Sequence, residues 1–344
     1  MQGFERDLRK QADIYKGIMQ PLIPADGRFA LLDFPDHFNI GDSIIYLGEL
    51  IALQQLSRNR PRIVGSLTTA PQDLRRKDMP GTILLHGGGN FGDIWAAHQD
   101  FRLAVLERFP SHRVVQLPQS IHFSDPEKLE QTARAIGAHR NFTLMVRDRN
   151  GLELAQKHFD CETLLVPDAA CMLGEIAPVA DAQIDTLAML RNDREGRGDN
   201  ARAHLPQDAV TEDWVNVQAW GLRERIFNKA LIRHMPVSSI RMRATDRLFE
   251  HSARKRLDGG VAQLSRAKVV VTDRLHVHLL CCLMRKPHVV LDNHYGKIAN
   301  YMDAWEEAKG TIRIQNVAEL PEAIGRARRF YGDMSGPASV AGQS

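Results

Sequence analysis

Val269-Val270-Val271-Thr272-Asp273-Arg274-Leu275-His276-Val277-His278 is a run of β-branched apolar residues that ends in an acid, an arginine and a histidine. A helical pattern follows at once, through Leu279, Leu280 and Leu283. A continuous apolar run bounded in this way reads as a strand buried on both faces, as in a parallel sheet. Such a strand delivers the polar residues behind it to the carboxyl edge of the sheet, where open α/β sheets bind ligands. Arg274 offers a planar fork for a carboxylate or phosphate there, and His276 can move a proton near neutral pH. A plain strand cap is the other reading: Asp273 starts the next helix and Arg274 pairs with a surface acid.

The same pattern recurs outward from this stretch. Phe29-Ala30-Leu31-Leu32-Asp33-Phe34 reads as a strand, and a loop carrying Asn39, Gly41 and Asp42 leads into a helix from Ser43 to Leu56, capped by Asp42 or Ser43. Strand, glycine turn and capped helix make either an anion cradle or an ordinary βα turn. Arg62 to Leu67 is the next strand. Thr82-Ile83-Leu84-Leu85 then runs into His86-Gly87-Gly88-Gly89-Asn90, with a helix continuing to about Phe109. Gly87, Gly89 and Gly92 fit GxGxxG between strand and helix, which raises a dinucleotide site. Against it, the following strand ends in Pro118-Gln119-Ser120 with no acid for a ribose, and the motif lies in mid-domain. Three consecutive glycines still point to a backbone that lets a ligand come close.

Phe142 to Val146 ends in Arg147-Asp148, and Thr163 to Val166 ends in Pro167-Asp168. With about seven βα repeats, this half is one doubly wound domain. Past a connection, Thr186 to Leu190 is a strand ending in Arg191. Residues 192–203 are polar without periodicity and read as a mobile loop, and Trp214 to Val217 reads as a strand. Beyond the opening stretch, Lys286-Pro287-His288-Val289-Val290-Leu291-Asp292 is the next strand, with Tyr295 and Lys297 just past it. Thr311 to Ile314 is a last strand, and Leu320 to Tyr331 a terminal helix expected to cross back to the first domain. The expected division is therefore 1–175 and 176–320, each Rossmann-like, with a helix and disordered tail over 321–344. Arg147, Arg191 and Arg274 all end strands, as do His86, Gln119, Asp168 and Asp292. Two such edges facing a central cleft would suit a small anion carrying both carboxylate and phosphate.

Composition bounds the rest. At 344 residues, 43% hydrophobic and 25% charged, the chain is an ordinary globular one, long enough for two domains. A net charge of +3 gives no reason to expect nucleic acid. The cysteines Cys161, Cys171, Cys281 and Cys282 form no CxxC pair, which argues against a zinc site and fits a reducing cytoplasm. No apolar run is long enough to span a membrane, and the first residues lack the core of a secretory signal. Phe4, Leu8, Ala12, Tyr15 and Met19 fall near helical spacing beside Arg6, Arg9, Lys10 and Lys16, for packing or for an interfacial helix. Residues 223–256 hold ten basic side chains against three acids, either a solvated helical face or a basic wall toward an anionic acceptor or lipid.

In order and spacing the chain resembles the polysaccharide pyruvyl transferases over about residues 35–305. The resemblance rests on Asn39-Ile40-Gly41-Asp42, Gly87-Gly88-Gly89-Asn90, Pro118-Gln119-Ser120, Arg147-Asp148, Pro167-Asp168, Arg274-Leu275-His276 and Tyr295-Gly296-Lys297. It implies an α/β fold of two doubly wound, Rossmann-like domains about a cleft, similar to the GT-B glycosyltransferases. It also implies phosphoenolpyruvate as donor and a sugar as acceptor, the acceptor being a lipid-linked oligosaccharide at the inner face of the cytoplasmic membrane. His276, Arg274 and Asp273 are then the expected catalytic set. Arg147, Arg191 and Arg274 would hold the donor's carboxylate and phosphate, with Lys297 as a phosphate partner. Asn39, Gly41, Asp42, His86, Gly87, Gly88, Gly89, Asn90, Gln119, Leu275 and Tyr295 complete the expected binding surface. No metal and no cofactor are called for. The alternatives are a sugar-nucleotide glycosyltransferase with the same fold and cleft, an NAD(P)-binding oxidoreductase built on the glycine motif, and a non-catalytic polysaccharide-assembly protein with a degenerate cleft, against which the intact Arg274-Leu275-His276 and Lys297 argue.

Overall fold

Two parallel sheets carry the chain. The computed structural model describes residues 2–24, 26–69, 79–191, 201–215, 238–292, 296–306 and 311–335, with side chains for all of these except 2–5, 297 and 332–335. The first sheet holds β1 (Phe29–Leu32), β2 (Ile63–Gly65), β3 (Thr82–Leu85), β4 (Gly88–Gly92), β5 (Arg113–His122), β6 (Phe142–Val146) and β7 (Glu162–Leu165). Its order is β2-β1-β3-β5-β6-β7, with β4 on the far half of β5. The second holds β8 (Ile184–Met189), β9 (Val210–Thr211), β10 (Ala267–Thr272), β11 (His288–Leu291) and β12 (Ile312–Ile314), in the order β12-β11-β10-β8-β9. Each sheet reverses its winding once, between β1 and β3 and between β8 and β10. Ligands of open α/β sheets bind outside the carboxyl ends of strands at such reversals.

Alternation along the strands fills both faces of the first sheet. Leu31, Leu84, Val115 and Met145 pack with α1 (Gln2–Met19) and α2 (Ile40–Ser57). Ala30, Ile83, Val114 and Leu144 pack on the other face, with α3 (Ala96–Arg108), α4 (Pro126–Ala138) and α5 (Arg149–His158). The two sheets share core through α2, which is apolar nearly all round. Its Ile45, Leu47 and Leu53 join the first sheet's core, whereas Ile40 and Ile44 join the cluster of Val270, Leu275 and Leu280 on the second.

A second connection is α6 (Ser239–Ser265), which packs on α2, β2 and β10. Phe249 stacks on Phe34 with ring centroids 3.9 Å apart, and Arg60 pairs with Asp246 and with Glu250. This helix is the described part of the basic run. Arg241 and Arg256 on it are buried, and Arg256 donates to the Pro35 carbonyl at 3.1 Å, so at these positions the run is neither a solvated face nor an open wall. Residues 223–237 lie outside the described residues, as do 192–200 and the tail 336–344.

Three expectations need correction. The α2 cap is Asn39, whose side chain accepts from Gly41 N–H at 3.0 Å, so the helix starts before Asp42. The second sheet's short strand is Val210–Thr211, and Trp214 and Val215 follow it as irregular chain, while the rest of that expected strand, Asn216 and Val217, lies outside the described residues. The terminal helix α9 (Leu320–Ser335) does not cross back. Its Leu320, Ala323, Ile324 and Ala327 pack on β10, β11 and β12. Among the described residues no helix is long and apolar enough to cross a membrane.

Candidate active site

The carboxyl ends of both sheets open on one cavity of about 410 Å³. It is lined by His37, Phe38, Asn39, Asp42, Gly89, Asn90, Trp95, His98, Arg147, Arg191, Trp214, Arg274, Leu275 and His276. The three arginines expected from strand ends all reach it, from β6, β8 and β10.

His276 lies in the first turn of α7 (Leu275–Leu283). Its Nε2 stands 3.5 Å from Asp168 Oδ2 and 3.4 Å from Arg147 Nη1. Arg147 is buried and held on two sides, donating from Nη1 to Asp168 at 2.6 Å and from Nε to Ser120 Oγ at 2.9 Å. Burial works against the charge of Asp168, but the hydrogen bond from His276, the Arg147 cation and the Ala170 N–H outweigh it and hold the carboxyl well below its usual range. The imidazole thus sits between a fixed anion and a fixed cation and can pass a proton either way. Asp168 enters the sequence reading as a strand-end acid and in the Pro167-Asp168 match, with no role assigned; the structure sets it against His276. Gly41 makes room for the ring, since a Cβ there would come within 2.4 Å of His276 Nδ1.

Asp42 accepts from Asn39 Nδ2 at 2.8 Å and faces His37 Nε2 at 3.5 Å. Desolvation opposes its charge, and His37, His276, His86 and Arg147 together keep its pKa lowered. Arg274 pairs with Asp213 at 2.7 Å from the second sheet's loop.

The glycine run departs most from its sequence reading. Gly88–Gly92 is a strand, hydrogen-bonded to the outer half of β5, and α3 begins only at Ala96. The GxGxxG therefore opens no helix, and the dinucleotide reading loses its phosphate-binding end. Close packing explains part of the run: a Cβ on Gly92 (φ 124°) would lie 1.7 Å from the His122 carbonyl, and one on Gly87 would lie 2.7 Å from that of Pro118. Behind this strand, Glu49 is fully buried and accepts from Gly87 N–H at 2.8 Å while pairing with His86 Nδ1 at 2.8 Å. Burial opposes a charge on His86, yet Glu49 raises its pKa overall. Asn90 Oδ1 accepts from Arg102 Nη2 at 2.9 Å and from Gln119 Nε2 at 2.8 Å. With both donors on its oxygen, Asn90 has its amide nitrogen left to offer the cavity.

Nine of the expected residues line the cavity: Asn39, Asp42, Gly89, Asn90, Arg147, Arg191, Arg274, Leu275 and His276. Six stand behind it and shape it, Asp273 among them. Gly41 backs His276, and His86, Gly87, Gly88 and Gln119 form the support of the glycine strand. Asp273, expected in the catalytic set or as the helix cap, does not line the cavity and does not cap the helix. Its Oδ1 accepts from Arg191 N–H at 2.8 Å, tying the β8 edge to the β10 edge, and Arg274 is the residue at the cap. Burial raises the Asp273 pKa, opposed by that N–H. Tyr295 lies outside the described residues, and Lys297 is described only as the first residue of α8 (Lys297–Trp305). Sequence reading missed His37, Phe38, Trp95, His98 and Trp214 as lining residues. All five fall in loops or a helix start, where no strand-end signal marks them.

The polysaccharide pyruvyl transferase family pattern matches residues 39–295. The chain is 32% identical to Pyruvyl transferase 1 of Schizosaccharomyces pombe, over 81% of this chain and 69% of that one. It is 30% identical to EpsO of Bacillus subtilis, whose name carries a provisional pyruvyl transferase assignment, over 88% and 93% of the two chains. Its fold is similar to the crystal structure of a functionally uncharacterised Klebsiella pneumoniae protein, with a TM-score of 0.59 and 15% identity over 89% of this chain and 99% of the other. Matched over most of its length in sequence, the chain is a transferase that belongs to the polysaccharide pyruvyl transferase family.

Proposed function

We propose that this protein moves pyruvate from phosphoenolpyruvate to hydroxyls of a sugar in a cell-surface glycan precursor, the acceptor being lipid-linked at the cytoplasmic membrane face. One observation carries the reading: arginines from three strand ends meet His276 in a single cavity. Phosphoenolpyruvate has a carboxylate and a phosphate on adjacent atoms, and guanidinium forks suit both. Arg191 and Arg274 are assigned to these groups, with Arg147 holding His276 and adding positive field.

The chemistry needs a proton delivered to the CH₂ carbon as C2 becomes oxocarbenium-like, attack by a sugar hydroxyl at C2, and departure of phosphate. His276, set against Asp168, is the proton carrier for C3. Fixed cations supply the charge stabilisation, so the reading calls for no metal and no cofactor, and chelator treatment should leave transfer unchanged.

Thermal shift with phosphoenolpyruvate, UDP, GDP and NAD(P) in parallel tests it, because a ligand that binds only the folded state raises Tm. Phosphoenolpyruvate alone should stabilise the protein, and Arg274→Ala should lose the effect. Stabilisation by UDP or GDP, with none by phosphoenolpyruvate, would move the assignment to glycosyl transfer.

A further inference from the structure

The first sheet's side of the cavity carries a second histidine–aspartate pair that the reaction above does not use. His98, in the first turn of α3, lines the cavity with its side chain 14% exposed. Its Nδ1 is 2.8 Å from Asp33 Oδ1. Asp33 follows β1 at the winding reversal of the first sheet, is 2% exposed, and has a φ of 70°. A non-glycine residue in that region is strained and persists only where its surroundings fix it. Here the flanking backbone is pinned, by His86 N–H to the Leu32 carbonyl at 3.0 Å and Phe34 N–H to the Gly65 carbonyl at 2.9 Å. A strained backbone that presents a buried carboxylate to one ring nitrogen fixes the ring's orientation and stabilises a positive charge formed on it. The ring's other polar atom is Nε2.

Two neighbours indicate what this pair meets. His98 N–H donates to the carbonyl of Trp95, an indole 51% exposed that lines the same cavity. An exposed indole on a cavity wall offers an apolar face with a polar edge, suited to a sugar ring. The arginines assigned to the donor, Arg191 and Arg274, come instead from the second sheet. His37 also faces this side, its ring edge-on to His98 at 6.3 Å, and Asp42 lies 3.5 Å from its Nε2.

We infer that His98, oriented by Asp33, is the base that takes the proton from the attacking acceptor hydroxyl, with the sugar resting on Trp95. The inference rests on the phosphoenolpyruvate reading and divides its proton transfers between two histidines. The hydroxyl oxygen bonds to C2 and its proton goes to His98 Nε2. The C2=C3 electron pair takes a proton from His276, so C3 becomes a methyl group. The C2–O bond to phosphate then breaks, its electron pair leaving with the phosphate, which receives the proton held by His98. A second hydroxyl closes the ketal at C2 and returns its proton to His276. Both histidines end as they began, and the products are the ketal and inorganic phosphate.

Phosphoenolpyruvate binding to the wild type, measured by calorimetry, comes first; its absence would sink the parent reading. Phosphate release is then followed with the member of a methyl hexopyranoside panel that supports wild-type turnover. His98→Ala should lower kcat about 100-fold or more, the usual scale for a lost acid–base group. Its affinity for phosphoenolpyruvate should stay within about 2-fold, and added imidazole should restore turnover. Asparagine tolerates a positive φ, so Asp33→Asn should fold and lower kcat. In the double variant it should add little to the loss caused by His98→Ala, because the two act as one unit. Trp95→Ala should raise the acceptor KM and leave phosphoenolpyruvate affinity unchanged. Near wild-type turnover in His98→Ala, loss of phosphoenolpyruvate binding alongside kcat, or a deficit that imidazole does not restore would each overturn the assignment.

Discussion

His276 and His278 are separated by a single residue on α7, yet they belong to different environments. His276 faces the cavity, against Asp168 and Arg147. His278 is fully buried, with His288 Nε2 2.8 Å from its Nδ1 and Glu306 Oε1 2.7 Å from its Nε2. Burial and the neighbouring His278 push His288 down to about 3, against the pull of the Lys286 carbonyl. Neutral His288 then donates from Nδ1 to that carbonyl and accepts from His278 on Nε2. Two residues along a helix turn a side chain by about 200°, enough to send one imidazole to the ligand side and the other into the core. The lesson is that residue type carries no role by itself: one ring has a cavity in front of it, and the other ties α7 and β11 to the end of α8.

That contrast can be broken experimentally. The largest effect is expected for His276→Ala, which should lower transfer by about 10³-fold while Tm stays near wild type. A variant turning over at close to the normal rate would remove His276 from the chemistry. His278→Ala should do the reverse. It removes the imidazole partner of Glu306 and the group facing His288 Nε2, and should cost about 3 kcal/mol in urea unfolding, with the folded fraction still active. Equal losses of rate in both variants, with no stability difference, would dissolve the distinction. Arg274→Lys should weaken phosphoenolpyruvate binding about 10-fold by calorimetry, because lysine cannot make the bidentate fork.

The smallest effects are in acid. His288 is lowered relative to an unfolded histidine near 6.5, so the unfolded chain takes up a proton that the fold refuses. Stability should therefore begin to fall as pH drops below about 6.5 and continue toward 3. Asp168 is a lowered carboxyl, whose stabilisation is present above about pH 4 and lost as pH falls through its folded value. Urea midpoints from pH 8 to 4 should show the first slope in wild type and a weaker one in His288→Gln. An unchanged slope would show that His288 titrates normally.

Much of the cavity is legible from strand ends. Arg147, Arg191 and Arg274 each follow an apolar run, and a strand fixes where its own end emerges. The loops were not legible in this way. His37, Trp95, His98 and Trp214 have no periodic neighbour to place them, and their role depends on which segment packs opposite. The glycine run misled for a related reason. Strand–glycine–helix is a local pattern, but β5 is ten residues long and outruns β3, so Gly88–Gly92 adds to it as a strand.

By itself the sequence determined that there are two wound sheets and which charged residues stand at their carboxyl edges, because period and apolar runs are local properties of the chain. Tertiary structure decided which of those residues meet. Arg147 and His276 are 129 positions apart and come within 3.4 Å only because α2 and α6 pack the two sheets into shared core. It also decided that Asp273, His86 and Gln119 support the cavity from behind while His98 and Trp95 face it. The physical reason is that burial and hydrogen-bond partners are set by what lies across the cavity, a relation between distant segments that no local pattern encodes.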